Sequence, residues 1–240
     1  MERLRVISPT PSIARLDWAG IAAQLDTEGY AMLPGLLDGE AACDLAHQTD
    51  TMSGAERVPL AASDLGRGEQ INFGAGLPAP LEGWRTAFYR HLAIIANRWN
   101  EILNCGNRYP TDLEEFLRRN RNAGQVRALS HVNRLGIEDY VVLHQRNGDE
   151  QVFPMQVVAL LSAPGTHFLG GEFVMTEQRP RMQSRPMVLP LKLGDAAIIT
   201  TSERPFKGTK GYYRVNLKHA ISRVRLGQRI GVELTFHDAR

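Results

Sequence analysis

Val152-Phe153-Pro154-Met155-Gln156-Val157-Val158-Ala159-Leu160-Leu161 is an uncharged, almost wholly apolar run. A run of this length, closed by the turn signal Pro164-Gly165, reads as a strand buried in a sheet interior. Working outward, Glu172–Thr176, Asp195–Thr201, Tyr212–His219 and Arg229–His237 have the same strand character. Gly170-Gly171, Pro180, Pro186, Gly194, Gly208, Gly211 and Gly227 punctuate them. Many short strands with turn signals at this spacing predict an all-β sandwich or barrel.

The first half reads mostly as helix. Residues 16–28 and 38–49 are short helical segments, with Tyr30–Pro34 extended between them. Trp84, Phe88, Leu92, Ile95, Trp99 and Leu103 recur at spacings of three and four, one apolar stripe on a helix from about Leu81 to Leu103. Such a stripe belongs to a core, not to a cofactor. Thr111-Asp112-Leu113-Glu114 has the form of a capping box that opens a further helix. Gly66 to Gly76, glycine-rich and polar, reads as a loop. Residues 1–125 are therefore expected to form a helical layer packed on a core of residues 126–240, one compact domain overall.

Composition narrows the function classes. The 240 residues are 43% apolar and 22% charged, which suits one globular domain with helical additions, or at most two small domains. A net charge of +2 is too mild to argue for nucleic acid, and 7% aromatic content gives little for stacking bases. No apolar run follows Met1-Glu2-Arg3-Leu4-Arg5, and no stretch reaches the length of a membrane span. Cys43 and Cys105 suggest neither a disulfide framework nor a thiolate metal site. A reduced cytoplasmic location is the expectation; oligomeric state has no signal.

His144, in Leu143-His144-Gln145, and His219, in Asn216-Leu217-Lys218-His219, are followed by Arg229, at separations of 219 − 144 = 75 and 229 − 219 = 10. Two histidines and one carboxylate on one face hold Fe(II) while leaving positions open for 2-oxoglutarate and O2. Residues i and i+2 of a strand share a face, so His-x-Asp delivers two ligands to one ion. An arginine beyond the second histidine suits the far carboxylate of 2-oxoglutarate through its planar fork. Arg229 is expected on the returning strand of a hairpin, with Arg223 and Arg225 at turn positions. Seven histidines produce pairs by chance, however, and a lone histidine is more often structural, so spacing does not carry this reading alone. His237 suits packing or hydrogen bonding, and His131 and His167 have nothing to raise them above background.

Longer stretches add to it: Gly29-Tyr30-Ala31-Met32-Leu33-Pro34-Gly35-Leu36-Leu37, Ile95–Asn100, Val152–Val157, Gly170-Gly171-Glu172 through Glu177-Gln178-Arg179-Pro180-Arg181-Met182-Gln183-Ser184-Arg185, Gly211–His219 and Phe236–Ala239. In these the chain, from about Asp26 to Arg240, resembles a bacterial family of iron(II)/2-oxoglutarate oxygenases. That family is described as acting in oxidative demethylation of damaged nucleic acid and is likened to prolyl hydroxylases. The resemblance implies a double-stranded β-helix (jelly roll), mainly β with an N-terminal helical layer. It implies Fe(II) held by His144 and His219, and 2-oxoglutarate anchored by Arg229, with Gln156 and Tyr213 as further cofactor-binding candidates.

Two departures fall at the active centre. The family reads His-Gln-Asp where this chain has His144-Gln145-Arg146, and Asp-Tyr-Asn where it has Asp139-Tyr140-Val141. Arginine offers neither a negative charge nor a metal bond. Three outcomes follow. Iron still binds, with water or chloride in the vacant position as in halogenases of this class. Asp149 or Glu150 substitutes. Or iron is lost and the jelly roll serves as a non-catalytic binding protein. The retained enzyme, oxidising a C–H bond of a small polar or anionic substrate, is the preferred expectation. Arg179, Arg181 and Arg185 either capture an anionic substrate or join an ion-pair network with Glu172 and Glu177. The basic stretch Arg204–Gly211 reads as a rim loop.

Overall fold

Met155, Val157 and Ala159 leave their strand on one side and Gln156, Val158 and Leu160 on the other, and all six are buried. A strand buried on both faces needs a packed layer on each side. The computed structural model, which describes residues 12–73, 76–145 and 150–240, supplies helices on one side and a second sheet on the other. The helices are α1 (Trp18–Glu28), α2 (Gly39–Thr51), α3 (Leu81–Ile102) and α4 (Leu113–Asn122). Strands β1 (Tyr30–Leu33), β2 (Glu56–Pro59), β3 (Gly66–Arg67) and β4 (Glu69–Asn72) lie among them. After α4 come β5 (Arg127–Ala128), β6 (His131–Leu135), β7 (Tyr140–His144), β8 (Met155–Leu160), β9 (Phe168–Gly170) and β10 (Phe173–Gln178). Next are β11 (Arg185–Leu189), β12 (Ala196–Thr200), β13 (Glu203–Gly208) and β14 (Gly211–Ile221). The chain closes with β15 (Val224–Gly227), β16 (Arg229–Leu234) and β17 (Asp238–Ala239).

Two antiparallel sheets dominate. One runs β1-β12-β8-β16-β6-β4-β2; the other runs β11-β10-β14-β7-β3, with β13 also on β14. Val132, Val157, Ile198 and Leu234 pack the first sheet against Trp84, Phe88, Leu92 and Trp99 of α3. Its other face turns Val158, Leu160 and Ile199 toward Phe173, Met175, Val215 and Leu217 of the second. This is the jelly roll, mainly β, with a helical layer outside.

Local chemistry explains most element boundaries and corrects several expectations. The α4 cap is Asp112 rather than Thr111: its carboxylate accepts the Glu115 amide at 3.2 Å. Acids Glu114 and Glu115 sit in the first turn, and Arg119 and Arg121 in the last, complementing the helix dipole. Asp112→Ala is expected to destabilise the protein by about 1 kcal/mol in chemical denaturation, and Thr111→Ala far less.

Gly66 to Gly76 is not all loop. Gly66, with φ +126°, lets β3 lie so close to β7 that an added Cβ would stand 2.3 Å from the Tyr140 carbonyl oxygen. Arg204–Gly211 is likewise no rim loop but the β13–β14 hairpin, with Arg204 wholly buried. Nor does Arg229 return on a hairpin from His219. β14 and β16 belong to opposite sheets, so the two side chains enter the interior from facing walls. Besides its helices, the segment before residue 126 supplies β1 to β4 to the two sheets.

Candidate active site

His144 and His219 are direct cross-strand partners on β7 and β14, yet the next pair is Val141 with Ile221. Two residues, Val142 and Leu143, thus face Ala220 alone. This β-bulge changes the phase of β7, so that both Val141 and His144 turn inward. The imidazole centroids of His144 and His219 stand 4.2 Å apart. His219 is buried, stacked near-parallel on Phe173 with centroids 5.9 Å apart. Gln145 donates its amide to the Leu217 carbonyl at 2.9 Å, tying the end of β7 to β14. Nδ1 of His144 lies 2.9 Å from the Val142 carbonyl. A carbonyl only accepts, so in the neutral ring the proton sits on Nδ1 and Nε2 keeps a lone pair, as metal-binding histidines do.

The facing wall is unusually polar. On its inward face Asn72, His131 and Glu233 form one row across β4, β6 and β16; Gln70, Asn133 and Gly231 form the next. Glu233 is buried and accepts from Asn133 at 2.8 Å and from Gln156 at 3.0 Å. Its Oε2 lies 3.8 Å from Nε2 of both His131 and His219. The Gln156 amide nitrogen is also 3.4 Å from His219 Nε2. Arg229 enters from the start of β16, its Nε donating to the Gly171 carbonyl at 2.8 Å. Burial pulls its guanidinium down to about 10, partly opposed by Glu233 and Glu172, so it is cationic at neutral pH. Gly231 gives it room: a Cβ there would stand 2.8 Å from Nη1. A cavity of about 10 Å³ between Arg229 and Glu233, also lined by Asn133, Val158, Phe173 and Ile221, is about the size of a single water site.

Residues 68–239 match the family model described as "Oxygenase, catalysing oxidative methylation of damaged DNA". The chain belongs to this oxygenase family. An uncharacterized protein from Mycobacterium tuberculosis is 38% identical over 166 residues, 68% of this chain and 71% of that one. A prolyl-4-hydroxylase from Pseudomonas putida superposes with TM-score 0.56 at 14% identity, covering 93% of this oxygenase and 99% of that chain. A 2OG-Fe(II) oxygenase family oxidoreductase from Burkholderia pseudomallei gives 0.55 at 17%, covering 94% and 93%. At such identities these structures show the shared fold.

Among the described residues no group of three or more His, Cys, Asp or Glu is placed to hold a metal ion, so the donors here are two imidazoles and their polar neighbours. Two imidazoles face each other, a buried cation lies on the opposite wall, and Gln156 Oε1, Asn133 Oδ1 and His219 Nδ1 are buried without a hydrogen-bond partner among the described residues. Each such atom costs about 1–3 kcal/mol, and their clustering marks a site shaped for something other than protein.

Of the residues singled out in the sequence, His144, His219 and Gln156 come together, with Arg229 facing them. Arg146 and Asp149 lie outside the described residues. Glu150 is exposed and paired with Arg240. Tyr213 is six residues from His219, roughly 20 Å along β14, against Phe206. Arg179 binds Glu177 at 2.9 Å and lies over Phe206, 3.9 Å from the ring centroid. Arg185 pairs with Glu28, and Arg181 sits exposed in the turn with φ 62°. These three arginines are not brought to the histidines. His167 is exposed in a turn, while His237 accepts from the Phe153 amide at 3.3 Å.

The sequence left His131 at background level, and Asn133 and Glu233 drew no notice. The available signal was the polar pair His131-x-Asn133 and the lone acid Glu233 among Val232, Leu234 and Phe236. No helix among the described residues is long and apolar enough to cross a membrane.

Proposed function

We propose that this oxygenase uses Fe(II) and 2-oxoglutarate to oxidise a C–H bond of a small polar or anionic substrate. The observation that carries the reading is the bulge-directed pairing of His144 with His219 opposite the buried Arg229. When bound, iron with 2-oxoglutarate and O2 supplies the oxidising power for the C–H bond, with release of succinate and CO2. The chain's own residues supply position. His144 and His219 would hold the metal through Nε2, the former oriented by the Val142 carbonyl. Arg229 would hold the far carboxylate of 2-oxoglutarate, its fork aimed by the Gly171 carbonyl. Low dielectric around this cation strengthens the pairing. Arg229 also lines a cavity of about 810 Å³ with Leu160, Phe173, Leu189 and Leu191, large enough for the acid. Gln70, Asn72 and Asn133 on the inward face offer hydrogen-bonding groups, which favours a polar substrate. Mild net charge and low aromatic content give no support for nucleic acid.

The direct test is anaerobic Fe(II) titration of the purified protein, followed by 2-oxoglutarate and O2 with succinate measured. Iron binding and O2-dependent succinate release are expected; a protein that takes up no iron would refute the reading. Arg229→Met is expected to raise the KM for 2-oxoglutarate about 100-fold, the scale of a lost buried charge pair, while Fe(II) affinity without the acid stays within a few-fold. Equal weakening of both would mean that Arg229 acts on the metal site as a whole.

A further inference from the structure

Phe168, Phe173, Leu189 and Leu191 are buried, yet they leave a space between them. With Leu160 they wall a cavity of about 810 Å³ where the ends of β8 and β11 meet the starts of β10 and β16. Arg229 lines it too. We propose that this cavity binds a monocarboxylic acid with an unbranched apolar tail, its carboxylate on Arg229 and its tail along the leucine and phenylalanine wall. This goes beyond the iron reading and does not depend on it, because it needs only the cavity and its cation.

Three observations converge. The first is charge. Arg229 is 3% exposed. Among the described residues its hydrogen bonding is confined to Nε, which donates to the Gly171 carbonyl, and no carboxylate stands within ion-pair distance of it. Glu172 also lines the cavity, but it is exposed and takes the Ser222 hydroxyl. A buried cation without a close counter-ion is costly, and an arriving carboxylate offsets that cost through the planar fork. The second is the wall. Its polar side chains are Arg229, Glu172 and Lys192, and the last two are exposed at the rim. Below them the side chains are apolar, so a polar tail would leave its groups unpaired, whereas methylenes gain by leaving water. The third is the mouth. Leu169 and Val188 line the cavity and are 48% and 56% exposed. Apolar surface therefore runs unbroken from the cation to solvent, a path for a tail. The volume lies within the roughly 300–1,000 Å³ of ligand cavities, and 2-oxoglutarate alone would leave most of it unfilled.

The consequence is competition. A tailed acid and 2-oxoglutarate call on the same guanidinium, so one excludes the other. The tailed acid raises the KM for 2-oxoglutarate and leaves kcat unchanged.

The test is calorimetric titration of the purified protein with n-alkanoates from butanoate to decanoate, and with 1-octanol as the neutral counterpart of octanoate. Wild type, Arg229→Met and Val188→Asn are compared, with far-UV circular dichroism and thermal midpoints as controls. Affinity is expected to rise with length by up to about 4-fold per methylene, the scale of burying one CH2 group. Wild type should bind octanoate about 100-fold more tightly than octanol, the scale of a buried charge pair. Arg229→Met should bind the two alike. Val188→Asn, at the exposed mouth, should weaken decanoate about 10-fold and leave butanoate unchanged. Octanol bound by wild type as tightly as octanoate, or affinity that does not rise with length, would overturn the proposal, and neither result depends on a variant that folds. Octanoate that leaves the KM for 2-oxoglutarate unchanged would reject the shared cation. Length-dependent alkanoate binding by a protein that takes up no iron would overturn the iron reading alone. Iron uptake without alkanoate binding would overturn this proposal alone.

Discussion

Arg204→Ala is expected to destabilise the protein by about 3–5 kcal/mol, against a total stability of about 5–15 kcal/mol for a domain. Arg204 and Glu177 form an ion pair with both side chains at 0% exposure. Arg204 also donates to the backbone carbonyls of Asp26, Thr27 and Pro205. It therefore pins the end of α1 to the β13–β14 hairpin. Removing the guanidinium leaves the buried carboxylate with only the partly exposed Arg179 and withdraws donors from three carbonyls. Burial pulls the Arg204 guanidinium down and Glu177 opposes that pull, so the pair stands or falls together. Arg204→Lys is expected to recover little, because a single ammonium cannot reproduce the fork that reaches four acceptors. The double variant Arg204→Met/Glu177→Met removes both charges and should regain much of the loss. Denaturant midpoints measure all four proteins, and a single Arg204→Ala loss below about 1 kcal/mol would contradict this account.

His219→Ala is expected to abolish Fe(II) binding and O2-dependent succinate release. The effect should exceed the 10–100-fold that loss of a group behind a metal ligand produces. His219 is the point at which β14, the bulged β7 and Gln156 of the opposite sheet meet, so no neighbouring imidazole can move into its place without breaking the ladder. Two histidine variants serve as controls. His167→Ala changes an exposed turn residue and should leave iron binding unchanged. His237→Ala alters a buried hydrogen bond to the Phe153 amide and should lower the thermal midpoint without changing metal affinity per folded molecule. Loss of iron binding in His167→Ala would show that the metal lies elsewhere.

The unequal fates of the sequence-level expectations have a common cause. Strand and helix positions depend on short-range periodicity, and these emerged nearly in place: the run around Met155–Leu160, the apolar stripe from Leu81 to Ile102, and the short helices at Trp18–Glu28 and Gly39–Thr51. The cap of α4 moved by one residue, because Thr111 and Asp112 are both competent caps and only the backbone geometry selects between them. Arg204 illustrates the opposite case. Within a stretch of basic residues and glycines it looks solvated, and only the distant Glu177 and the end of α1 make its burial tolerable. The arginines that follow Glu177 divide in the same way, into one stacked on Phe206, one in an exposed turn and one paired with Glu28.

By itself the sequence located the strands around Met155–Leu160, Phe173–Gln178, Ala196–Thr200, Gly211–Ile221 and Arg229–Leu234, offered His144, His219 and Arg229 as candidates for one site, and put Arg146 where the family motif has a carboxylate. Tertiary structure alone decided that a bulge turns His144 inward, that Arg229 faces the histidines from the other sheet, and that His131, Asn133, Gln156 and Glu233 gather around them. The physical reason is range. Periodicity records which way a side chain leaves its own backbone, whereas the partner it meets is set by register between strands a hundred or more residues apart, such as Asn133 with Glu233 or Tyr30 with Ile199.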